Sequence, residues 1–98
     1  MHVLRMKSYF LEGLGHPARV RNELSTLLPD QADPWLLLAA DDDAVAYFNV
    51  STKEADGLCV QADISGRHYD RDGAVLKILR ELQKRLGGVV RDDVDNEL

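Results

Sequence analysis

The residues best suited to chemistry are few: one cysteine, Cys59, and three histidines, His2, His16 and His68. A thiol becomes a nucleophile when a base within hydrogen-bond reach takes its proton. Cys59 and His68 are the pair closest in sequence, but the chain between them spans about 30 Å when extended. A sharp reversal, or an approach by His2 or His16 from another element, would be needed to close that gap. Asp63 could orient a histidine, although an outward Asp on a half-exposed strand is ordinarily just solvated. No nucleophile, base and orienting group stand together. The residue set leans away from an enzyme and offers no catalytic residue. A lone Cys on a strand is more often a small apolar filler.

Gly13-Leu14-Gly15-His16-Pro17-Ala18 fits the relaxed dinucleotide pattern Gly-x-Gly-x-x-Gly/Ala between a strand and a helix. Pro17 removes an amide near where a pyrophosphate would sit. The acidic residue about 20 positions on, Asp33, precedes the next strand instead of ending it. A tight turn is the simpler reading, with small-anion binding by His16 and Arg19 at the helix start as what survives. His68-Tyr69-Asp70-Arg71-Asp72-Gly73 resembles the start of a calcium loop, yet His68 and Leu79 stand where the first and twelfth ligands belong. Asp70 or Asp72 capping a helix explains it better. Asp41-Asp42-Asp43 is read as turn chemistry and edge protection, because adjacent turn residues point apart. No cofactor and no metal are expected.

Charge is unevenly distributed. The chain carries 17 acids and 12 bases, and four of the acids fall in residues 92–98, which hold no base. Between residues 77 and 91, Lys77, Arg80, Lys84, Arg85 and Arg91 face Glu81 alone. The expectation is a single domain over residues 1–91 with a mobile acidic tail, residues 92–98, able to fold back on the basic helix. Nucleic acid is disfavoured as a partner, since dense phosphate contact calls for a more basic domain.

These residues must be positioned by elements legible from periodicity. Residues 2–11 alternate as a half-buried strand, with Leu4, Met6 and Phe10 on the apolar side and Val3, Arg5, Lys7 and Tyr9 on the other. Pro17 suits the first position of a helix whose Val20, Leu24, Leu27 and Leu28 recur at helical spacing before Pro29. Residues 34–40 and 44–50 read as a hairpin around the three aspartates. Residues 51–57 read as a loop, and residues 58–64 as a strand turning Cys59, Gln61 and Asp63 outward. Residues 70–86 form the strongest helix, with a Val75, Ile78, Leu79, Leu82 and Leu86 stripe and a Gly87-Gly88 exit. A short strand follows at residues 89–91.

The economical packing is α+β: two helices on one face of a four- or five-stranded, mostly antiparallel sheet, ferredoxin-like (split βαβ) with an added strand. The other face is expected to show Val3, Arg5, Tyr9, Trp35, Leu37, Val45, Tyr47 and Cys59, too apolar to stay wet. Arg5, Tyr9, Trp35, Tyr47 and Cys59 are therefore the candidate binding residues. The expected function is a non-enzymatic interaction or regulatory domain that forms a homodimer or binds another protein through this face. The alternative is a small enzyme or small-molecule binder with a pocket near residues 13–17 or Cys59. Arg5 and Lys7 interrupt any signal-peptide core, no apolar run is long enough to cross a membrane, and one cysteine allows no internal disulfide. Together these point to the cytoplasm.

Overall fold

The computed structural model describes residues 7–29, 34–53 and 57–98. The chain runs β1 (Lys7–Leu14), α1 (Pro17–Leu27), β2 (Trp35–Leu38), β3 (Ala44–Lys53), β4 (Gly57–Ile64), a 3-10 turn (Gly66–Arg71), α2 (Asp72–Leu86) and β5 (Val89–Asp92). The strands form one sheet in the order β2-β3-β4-β1-β5, and every neighbouring pair is antiparallel. Among the described residues this is an α+β architecture with two α-helices and a five-stranded antiparallel sheet.

Local chemistry explains the element ends. Pro17 opens α1, where its missing N–H loses no bond, and the Leu28 amide closes the helix on the Leu24 carbonyl at 2.8 Å. Helix α2 ends as the Gly87 amide donates to the Gln83 carbonyl at 2.8 Å, with Gly87 at φ 80°. In β1 the register shifts between Leu11 and Leu14, and Gly13 supplies the positive φ of 80° within that irregularity. The expected loop at residues 51–57 is corrected in part. Ser51, Thr52 and Lys53 continue β3 and pair with Cys59, Leu58 and Gly57, while residues 54–56 lie outside the described residues.

Both helices lie against the same face. Val20 and Leu24 of α1 and Val75, Leu79 and Leu82 of α2 are buried with Leu11, Phe48, Val60, Ala62, Ile64 and Val90 of the sheet. Trp35 Nε1 donates to Ser25 Oγ at 3.0 Å in α1, and the Tyr9 hydroxyl donates to Asp72 at 3.0 Å in α2. Strand alternation then fixes the opposite face. It carries Ser8, Phe10 and Glu12 of β1, Cys59, Gln61 and Asp63 of β4, Tyr47, Asn49 and Ser51 of β3, Leu36 of β2, and Val89 and Arg91 of β5.

The acidic C-terminal segment turns back along β5, not along the basic face of α2. Asp92 donates its amide to the Asn96 carbonyl at 3.0 Å, Leu98 donates to the Val90 carbonyl at 2.8 Å, and the backbones of Arg91 and Glu97 pair as an isolated antiparallel β-bridge. Among the described residues, no helix is long and apolar enough to cross a membrane.

Candidate functional site

The helix-free face is organised in rows set by the strand register. One row runs Leu36, Tyr47, Asp63, Ser8 across β2, β3, β4 and β1. The next runs Asn49, Gln61, Phe10, Arg91, and a third pairs Ser51 with Cys59. Leu36, Tyr47, Phe10 and Val89 are half-buried, and Leu38 at the end of β2 is 41% exposed. The face is thus a mixed surface of partly exposed aromatic and aliphatic side chains around a polar centre.

That centre is Asp63. Its Oδ1 accepts from Ser8 Oγ at 2.6 Å and from Gln61 Nε2 at 2.9 Å. Ser8 is buried, so its hydroxyl holds the carboxylate down on the sheet. At the lower rim, Cys59 is only 1% exposed and its sulfur lies 3.2 Å from Ser51 Oγ. At the β5 side, buried Glu12 pairs with Arg91 at 3.1 Å, and Arg91 also lies 3.9 Å from Asp95.

The sequence-expected site residues divide between the two faces. Tyr47 and Cys59 do lie on the open face. Tyr9 and Trp35 do not: they point to the helices, 7% and 1% exposed, and this corrects their assignment to the open side. Leu37 is also on the helix side, as its pairing alternates with Leu36. Arg5 and Val3 lie outside the described residues. The physical reason for the β1 inversion is Lys7. Lys7 sits on the inward side, yet at the rim its ammonium reaches Asp72 at 2.7 Å, so its polarity says nothing about which side is covered. Phe10, read as inward, faces out.

Comparisons with protein-family models, with curated proteins and with solved structures find no match.

The reactive pairings considered from the sequence are separated. Cys59 sits beside Ser51, whereas His68 Nε2 is 2.8 Å from Asp43 Oδ2 at the far end of β3. Eight strand positions between residues 43 and 51 amount to about 25 Å. The Asp43 carboxylate also receives Arg67 at 2.7 Å, and the His68 hydrogen bond, ahead of the Arg67 charge, holds it below the ordinary carboxylate range. Asp41 Oδ1 faces the Asp43 amide at 3.3 Å, so the triple aspartate closes a turn and does not converge. Among the described residues, no three His, Cys, Asp or Glu side chains gather where a metal ion could bind.

His16 stands exposed at the start of α1 without a side-chain cap, and the Arg19 guanidinium crosses to the Arg85 carbonyl at 3.1 Å. Asp72, expected as a cap, instead takes Lys7 and Tyr9 on one carboxylate oxygen. On the outer face of α2, Arg85 is engaged by Glu23 at 2.8 Å and Lys84 by Glu81 at 3.4 Å. Asp63, expected to be merely solvated, is instead tied to Ser8 and Gln61. The outward alternation of Cys59, Gln61 and Asp63 was legible, but the Ser8 contact depends on β1 lying beside β4.

Proposed function

We propose that this chain is a non-enzymatic interaction domain whose open sheet face docks a protein, a second copy of itself being the simplest candidate. One observation carries the reading: both helices pack on one side of the sheet and leave Phe10, Leu36, Tyr47 and Val89 only partly buried on the other. Five strands about 4.8 Å apart give a face roughly 20–25 Å wide. A face-to-face pair would bury on the order of 1,000 Å² in total, the low end for specific complexes. Such an interface favours reversible association over an obligate dimer.

The fold belongs, in this reading, to the ferredoxin-like class with one added strand. Removing β2 leaves the order β3-β4-β1-β5, in which β1-α1-β3 and β4-α2-β5 are two interleaved split βαβ units. A cytoplasmic setting is proposed on the ground that Cys59 is a free thiol.

Sedimentation over a concentration series tests the function. The native chain is expected to gain mass with concentration, and a Leu36→Thr/Tyr47→Thr variant is expected to stay monomeric. A native chain monomeric throughout removes self-association, and a variant that gains mass with concentration as the native chain does removes the face.

A further inference from the structure

We infer that Asp63 is the docking point for an arginine side chain of the bound partner; the inference rests on the open-face reading above. Every other buried or half-buried carboxylate among the described residues is already committed. Glu12 has Arg91, Glu23 has Arg85, Asp43 has Arg67, Asp72 has Lys7 and Glu81 has Lys84. Asp92 closes a backbone turn, accepting from the Val94 and Asn96 amides. Asp63 too is half-buried with only neutral donors, but both of those, Ser8 and Gln61, bind the same oxygen, whereas Asp92 has both of its oxygens engaged.

That arrangement leaves the second oxygen with no protein donor among the described residues, hydrated by water until a partner supplies one. Among the described residues no buried side-chain oxygen lacks a hydrogen bond, so Oδ2, which has none, must open to solvent. A carboxylate fixed on one oxygen cannot swing away to hydrate freely. Its orientation is settled before a partner arrives, which lowers the ordering cost of binding. The matching group is a cation.

Its neighbours favour a guanidinium. Tyr47 is the direct cross-strand partner of Asp63, and Leu36 stands beside Tyr47 in the same row. Directly opposed side chains lie about 5 Å apart, so a flat group can rest on the ring while donating to Oδ2. A guanidinium is planar and weakly hydrated, whereas an ammonium must give up a tighter water shell to reach the same place. The partner is thus a protein segment that presents an arginine flanked by apolar side chains.

The test is an amide-resolved NMR titration of the full chain with acetyl-argininamide and, separately, with its neutral citrulline counterpart. The arginine probe is expected to shift the Asp63, Tyr47 and Gln61 amides to saturation. Citrulline, lacking the charge, should bind about tenfold more weakly. Asp63→Asn keeps an acceptor for Ser8 and Gln61 and should abolish the preference between the two probes. Overturning results are equal responses to both, no saturating response, or an arginine preference that survives Asp63→Asn. The face itself is judged by the mass of the Leu36→Thr/Tyr47→Thr variant. A failed titration with that mass change intact removes only the arginine site, and a positive titration with a native chain monomeric throughout removes only self-association.

Discussion

Lys7 Nζ and the Tyr9 hydroxyl converge on one oxygen of Asp72, at 2.7 and 3.0 Å. The hydrogen bond from Lys7, then that from Tyr9, holds the Asp72 carboxyl below its ordinary 3.8, and the same bond to Asp72 lifts Lys7 above 10.5. Burial, then the Asp72 bond, pushes Tyr9 above 10.0. A lowered carboxyl contributes stability above its unfolded value and loses it as pH falls through the folded one. A raised lysine or tyrosine contributes below its unfolded value and loses it as pH rises through the folded one. Denaturant midpoints of the native chain should therefore fall on both limbs, below about pH 4 and above about pH 10. In Asp72→Asn the losses owed to this cluster should shrink on both limbs. Tyr9→Phe should cost no more than about 1 kcal/mol, because the acceptor is a third exposed and keeps Lys7. Hydropathy could not reveal this cluster, since residues 7, 9 and 72 meet only after α2 is laid across β1. For the same reason alternation assigned Tyr9 to the wrong side while identifying its strand.

Helices and strands were far more legible than their neighbours in space. Pro17 and the Val20, Leu24 spacing predicted α1, and the Val75, Leu79, Leu82 stripe predicted α2, because each pattern is local. The order β2-β3-β4-β1-β5 is not local, and with it the contact of Ser8 and Asp63 stayed hidden. The Gly87-Gly88 exit shows the same division. Both have positive φ, but a Cβ on Gly87 meets nothing, whereas one on Gly88 would lie 2.5 Å from the Glu12 carbonyl oxygen. Gly87→Ala should cost about 1–3 kcal/mol from backbone strain, and Gly88→Ala should be clearly worse because β1 backbone cannot yield. Equal thermal midpoints would contradict the close approach of α2's exit to β1. The C-terminal turn gives an element-scale prediction of its own. Asp92 is held below its ordinary 3.8 chiefly by the Asn96 amide, so acid should loosen the turn. Asp92→Ala should speed exchange of the Leu98 amide while leaving the Leu79 and Leu82 amides protected, as hydrogen exchange would report.

At the scale of the molecule, one sheet separates two tasks, and adjacent residues of β3 sit on opposite sides of the division. Phe48 is fully buried beneath the helices, and Tyr47 is only half-buried on the open face. Phe48→Ala removes a ring from the middle of the core and should cost about 3–5 kcal/mol. That is a large share of the 5–15 kcal/mol by which small domains are stable. Leu36→Thr/Tyr47→Thr exchanges half-buried apolar groups for a residue that strands accept, and should cost only about 1–2 kcal/mol. Thermal melts and sedimentation on the same two proteins separate the tasks. The core variant should melt early, yet below its transition it should retain the concentration-dependent mass, because its outward face is unaltered. The face variant should melt near the native chain and lose that mass. If the face variant were destabilised as severely as Phe48→Ala, residues 36 and 47 would belong to the monomer's own core, and the side of the sheet away from the helices would have no surface left to offer a partner.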